Sequence, residues 1–363
     1  MQNIQTALLT LALTLISFNR VSAAEFCVGT ANELRAALAF AESNHEADDI
    51  RIELGIYETN GTVFSYHDSG NHDLTISGGW IDFFGNDCGI QSPNEPFETI
   101  IDGSNSSRGM SINISGEADV MITDLTFSNG YFAHTGGGLA VFNLGTIHTG
   151  QVVIEKNAFL NNEANLAAAL SVYGGGTAHI RNNLILVNHA NTSDSARILN
   201  NNANGIYFNN NTVFGNTSDN MGASGVYLYV EGTSQVLVAN NILNNNENDD
   251  LEVITMAGDY FLFNNNVDVF TGSPPTVSAN NINKPNHFQG GLLNYVPNSN
   301  SYLVDAGRPP CLIACPFPTP FENAWSLGNE DILSQLREQG DKVDIGAFES
   351  SYFSDIIFWD TFD

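Results

Sequence analysis

The segment VVIEKNAFLNN, running from Val152 to Asn162, returns as AHIRNNLILVN from Ala178, IYFNNNTVFGN from Ile206 and VLVANNILNNN from Val236. A copy on either side, VMITDLTFSNG from Val120 and YFLFNNNVDVF from Tyr260, extends the series. The shared pattern is aliphatic-x-aliphatic-x-x-Asn-x-(aliphatic or Phe)-x-x-Asn. With Ile122, Ile154, Ile180, Phe208, Val238 and Phe263 taken as equivalent, the steps are 32, 26, 28, 30 and 25 residues. A repeat of that length, with two-residue alternation inside it, marks a solenoid whose coils are short strands joined by turns.

A second marker keeps the same period. Strand-like runs fall at Leu139-Ala140-Val141-Phe142, Leu170-Ser171-Val172-Tyr173, Ala196-Arg197-Ile198-Leu199 and Val226-Tyr227-Leu228-Tyr229. Leu139, Leu170, Ile198 and Val226, taken as equivalent, step by 31, 28 and 28 residues. Of 47 Asn residues, 33 lie between positions 157 and 300, where the repeats are. Asn tolerates the left-handed turns a coil needs, and stacked Asn side chains bond to one another. Thr30-Ala31-Asn32-Glu33 reads as a capping box opening a helix to about Ser43, with Leu34, Ala37, Leu38 and Ala41 on one face. Such a helix closes the first coil, whose open end would expose core and strand edges. Earlier coils, at Ile50 to Tyr57, Leu74 to Trp80, Thr99 to Asp102 and Met110 to Ile114, keep a looser spacing.

On these residues the chain resembles the right-handed parallel β-helix (pectin-lyase-like) superfamily, which implies an all-β solenoid with a short N-terminal capping helix. The paired Gly136-Gly137-Gly138-Leu139 and Phe159-x-x-Asn162 elements are similar to repeats of polymorphic outer-membrane proteins. Tyr302-Leu303-Val304-Asp305-Ala306-Gly307 and Val343-Asp344-Ile345-Gly346-Ala347-Phe348-Glu349 resemble the choice-of-anchor Q region that follows β-helices in bacterial surface proteins. The expected division is a signal peptide over 1–24, a capped β-helix over 25–300 and a choice-of-anchor Q-like region with tail over 301–363. After Asn266 irregular chain is expected, and Asn329 to Gln339 reads as a short helix.

The apolar run Ala7 to Phe18 followed by Val21-Ser22-Ala23-Ala24 reads as a secretion signal, shorter than the ~20 residues of a spanning helix. Export favours disulfides among the four cysteines. Three connectivities are open, and Cys27 with Cys88 and Cys311 with Cys315 is the one expected, over a zinc site that lacks a Cys-x-x-Cys pair. A net charge of -29 argues against nucleic acid as a partner and disfavours acidic polysaccharide.

Enzymes of the resembled superfamily gather acidic residues with Arg, Lys or His on an outward strand face. The outward column here, Thr123, Glu155, Arg181, Asn209, Ala239 and Asn264, holds one carboxylate and one guanidinium, which read as an ion pair. The acidic loop Asn246 to Glu252 reads as a solvated turn, and His67-Asp68 and His72-Asp73 as loop residues. Neither catalytic residues, nor a metal, nor a cofactor are assigned. Phe142, Tyr173 and Tyr229, with Asn201 interrupting the file and Tyr227 beside it, form an outward aromatic strip in one phase of the alternation; in the other phase, or under covering loops, the rings pack inside. Rings at that spacing stack on sugar faces. The sequence therefore points to an exported, non-catalytic, adhesin-like surface protein for neutral polysaccharide or cell-surface glycan, with a polysaccharide lyase or glycoside hydrolase as the rival.

Overall fold

The computed structural model describes residues 23–352 except 68–69, 83–84, 86–87, 93–95, 144–149, 175, 201–204, 221, 233, 291–294, 310–327 and 338–341. The chain is an all-β parallel solenoid. Each coil visits three sheets in turn. The first sheet runs from Ala24–Val28 through Asp48–Glu53, Leu74–Ile81, Val120–Thr123, Gln151–Glu155, Thr177–Arg181, Gly205–Asn209, Gln235–Ala239 and Tyr260–Phe263 to Val277–Ala279. The second and third each stack eight strands, ending at Asn266–Val267 and Phe270–Gly272. A small fourth sheet, Tyr131–Thr135, Glu163–Leu166, His189–Ser193 and Thr217–Ser218, stands as a fin between the second and the third.

Alternation builds the core. Ile50, Ile76, Ile122, Ile154, Ile180, Phe208, Val238 and Leu262 are in register and fully buried. The column is thus the expected one up to its last member: Leu262, not Phe263, pairs with Val238, so the final step is 24 residues. Phe263 points outward beside Ala239, in the slot assigned to Asn264. In the third sheet Leu139, Leu170, Ala196 and Val226 share a column, while Ile198 belongs to the next one with Val141, Val172 and Leu228. Ala196 is small but takes the inward place.

The corners explain the asparagines. Asp124, Lys156, Asn182, Asn210, Asn240, Asn264 and Asn280 turn the chain between the first two sheets with positive φ. Immediately after them Asn157, Asn183, Asn211, Asn241, Asn265 and Asn281 form a ladder. Each member but the last donates its main-chain N and its Nδ2 to the Oδ1 of the next, and Asn183, for example, does so to Asn211 at 3.1 and 3.0 Å. A second ladder, Asn162, Asn188, Asn216 and Asn246, follows the left-handed residues Asn161, Val187, Gly215 and Asn245. Val187 is the misfit there, a β-branched residue at φ 55° that is 56% exposed. A left-handed L-residue costs roughly 1–2 kcal/mol, and Asn is the non-glycine residue that tolerates it best. Val187→Asn is expected to stabilise the chain by about 1 kcal/mol, read as a raised urea midpoint.

The helix Ala31–Asn44 starts at Thr30, whose side chain accepts from Glu33 N, and buries Leu34, Ala37, Leu38 and Ala41 over the first coil as expected. Cys27 and Cys88 are joined, tying the first strand to the loop after Leu74–Ile81. The expected Cys311–Cys315 pair lies outside the described residues, as do the secretion signal up to residue 22 and the tail from 353. Two expectations for the end of the chain are corrected. Past Asn266 the solenoid continues through Phe270–Gly272, Val277–Ala279 and a bridge at Ile282. Residues 329–337 form turns instead of a helix, because Asp331 Oδ1 accepts from both Leu333 N and Gln335 N.

The C-terminal segment lies across the outside of the first two sheets. Ile332, Ala347 and Phe348 pack on Ala158, Leu184 and Leu186, Leu303 and Ile345 on Ile242, and Val343 on Tyr207 and Phe261. Gly346 N donates to Asn240 O and Ala347 N to Thr212 Oγ1. Arg337, 1% exposed, lies inside this segment with Asp331, Asp344 and Glu349 around it. No helix of the described residues is long and apolar enough to cross a membrane.

Candidate functional site

The described C-terminal residues lie on the first two sheets over the coils from Ala158 to Phe263, while the outward face of the third sheet runs from buried Ser111, Ala140 and Ser171 to exposed Tyr173. Two columns of side chains point out from it. One is Ser65, Ser111, Ala140, Ser171, Arg197, Tyr227 and Glu252; the other is His67, Asn113, Phe142, Tyr173, Leu199, Tyr229 and Ile254. Tyr173 is exposed, and Phe142, Tyr227 and Tyr229 are half-buried. The structure thus brings all four sequence-assigned aromatic residues to one face. Leu199, and not Asn201, occupies the position between Tyr173 and Tyr229. Neighbouring positions in a column are separated by the ~4.8 Å strand spacing.

The charged groups of this face are held by their surroundings. The Arg197 guanidinium lies 4.2 Å from the Tyr227 ring centre and its Nε donates to Asp194 at 3.0 Å. Asp194 turns the chain from fin to third sheet at φ 55° and also accepts from Ala167 N. Burial pushes its carboxyl up to about 6 against the pull of Arg197. Glu252, raised first by burial and then by Asp249, sits beside Tyr227 in the column. Tyr229 donates to Glu231 at 2.9 Å.

At the N-terminal end of the face the fin opens a cleft of about 580 Å³. Its wall is Tyr131, Phe132 and His134 from the first fin strand, and its floor includes Ser65, Ser106 and Ser111. Beneath lies Arg108, buried between Phe132 at 4.1 Å and Phe142 at 5.4 Å. Each of its three nitrogens donates to the protein, to Gly136 O, Ser111 Oγ and Thr135 O. Burial lowers its pKa to about 10, which leaves it cationic near neutrality. Sequence reading missed this cleft because the fin strands carry no repeat signature of their own, and Tyr131-Phe132-Ala133-His134 lacks clean alternation.

The remaining candidates resolve into structure. Arg181 Nε donates to Glu155 on the adjacent coil, the expected ion pair. Lys156 bridges Asp124 and Glu330 at 3.2 and 3.3 Å. The loop Asn246 to Glu252 departs from a solvated turn at Asp250, which is buried and ends the second ladder: Asn246 N and Nδ2 donate to its Oδ1, and Val269 N to its Oδ2. His72 lies 5.7 Å from His45, ring to ring, in a tilted arrangement, and His67 N donates to Glu42; Asp68 lies outside the described residues. Cys27, Glu53 and Cys88 form the one metal-type cluster among the described residues, and its two sulfurs are bonded to each other. Comparison of the chain with protein-family models, with curated proteins and with solved structures gives no match.

Proposed function

We propose that this is an exported, non-catalytic surface protein that presents the outward face of its third sheet to glycans. The supporting observation is that Phe142, Tyr173, Tyr227 and Tyr229 share the outward face of one sheet, with Tyr173 exposed and the other three half-buried. Export rests on the apolar run and small residues before position 25. Kinship with pectin-lyase-like β-helices, with polymorphic outer-membrane-protein repeats and, over 301–363, with choice-of-anchor Q regions rests on the motifs alone. The rival, a polysaccharide lyase or hydrolase, draws on Arg197, Asp194 and Glu252 standing close together. Against it, Arg197 is spent on Asp194 and Tyr227 and is a poor base.

A glycan array run beside a turnover assay on neutral polysaccharides and polyuronates separates the two. Binding without turnover is expected. Replacing Phe142, Tyr173 and Tyr229 together by alanine is expected to cost ~1 kcal/mol per ring, roughly a hundredfold in affinity, with the fold retained. Turnover, or unchanged binding in the triple variant, removes this reading.

A further inference from the structure

The cleft beside the fin differs from the open strip in depth and in chemistry. Tyr131, 38% exposed, offers a ring to it, and Tyr131 N is anchored on Ser107 O at 2.9 Å, so the platform is fixed to the body. Ser65 and Ser106 are exposed; the Ser65 hydroxyl can donate and accept, the Ser106 hydroxyl donates to Gly103 O at 3.3 Å and keeps its acceptor lone pairs, and His134 adds ring nitrogens. The volume of about 580 Å³ lies within the range of small-molecule sites.

Arg108 is the only Lys or Arg among the described lining residues, and it is buried. Nε, Nη1 and Nη2 donate to Gly136 O, Ser111 Oγ and Thr135 O, and Phe132 covers the guanidinium plane. A carboxylate-bearing sugar would meet a buried guanidinium whose three nitrogens each already donate to the protein, on a chain of net charge -29. A ring platform ringed by hydroxyls matches instead a ligand with an apolar face and an equatorial belt of hydroxyl groups.

We propose that this cleft is a subsite for uncharged pyranose units, lined by Tyr131, His134, Ser65 and Ser106, which seats one end of a glycan lying along the third sheet. This rests on the glycan-binding reading above and narrows it to neutral chains anchored at the fin.

The test is calorimetric titration of the full chain with cellohexaose, mannohexaose, xylohexaose, laminarihexaose and hexagalacturonate. At least one neutral hexaose is expected to bind and hexagalacturonate not to compete with it. Tyr131→Ala is expected to weaken that binding tenfold or more, and Ser65→Ala with Ser106→Ala several-fold, with unchanged thermal midpoints. Loss of binding in the Phe142, Tyr173 and Tyr229 triple variant with Tyr131→Ala unaffected overturns the cleft while leaving the open-face reading standing. Preferential binding of hexagalacturonate overturns the neutral assignment. No binding by the parent chain overturns both.

Discussion

Replacing Asn211 by alanine destabilises the solenoid by about 3–5 kcal/mol, whereas the same change at Asn281 costs about 1 kcal/mol. The Asn211 amide sits fully buried in the middle of the first ladder. Its Nδ2 donates to Ile180 O at 2.8 Å and Asn241 Oδ1 at 3.1 Å, and its Oδ1 accepts from Asn183 N and Asn183 Nδ2. Truncation strips partners from two neighbouring coils at once, and each buried group left unsatisfied costs roughly 1–3 kcal/mol. Asn281 is half-buried and, apart from a bond to Ser278 Oγ in its own coil, serves the coil before it. Urea unfolding of both variants checks the contrast. Equal losses at the two positions would mean that the ladder is a passive stack.

The second expected result concerns pH. Burial pushes the Glu349 carboxyl from 4.5 up to about 8, with Arg337 opposing and Asp344 reinforcing the shift. Asp331 and Asp344 are raised as well, first by burial. Three carboxyls share one guanidinium, which stands 3.6 Å from Glu349. Between pH 4.5 and about 8 the folded cluster therefore binds more protons than the unfolded chain. Stability falls wherever the native state binds more protons as pH rises, so the segment over the first two sheets loosens from mildly acidic toward alkaline conditions. The change is on the order of a few kcal/mol between pH 5 and 8.5. Amide exchange of residues 330–337 and 342–350 is expected to quicken over that range. Glu349→Gln, neutral at every pH, should flatten the dependence and protect the segment at pH 8.5.

Periodicity made the solenoid legible, because one inward side chain per strand must recur whenever a coil closes. Ile122, Ile154, Ile180, Phe208 and Val238 were readable on that ground. Phe263 was misplaced because three successive asparagines, 264 to 266, blur which one turns the corner, and the larger apolar residue looked like core. The structure resolves it: Asn264 takes the left-handed position and Asn265 the ladder, so Leu262 points in. Ile198 erred for a related reason, since inward positions two apart are equivalent in phase and Ala196 does not advertise burial. The aromatic face was readable, being in phase with the core. The cleft and the buried cluster around Arg337 were not, because both join residues with no common period.

The two ladders also differ in how they end. Within the first ladder every amide but the last gives protons forward, and every one after the first receives them from behind, so each inner coil presents its neighbour with the same interface. Removing the 28 residues from Asn183 to 210 would bring Asn157 against Asn211 and leave that hydrogen-bonded row unbroken. Length is therefore free to change by whole coils. The second row closes on Asp250, an acceptor with no proton to pass on, in the coil that follows the last fin strand Thr217–Ser218. A single carboxylate thus acts as a stop mark on one edge of the molecule: the body runs on past it, and the fin does not.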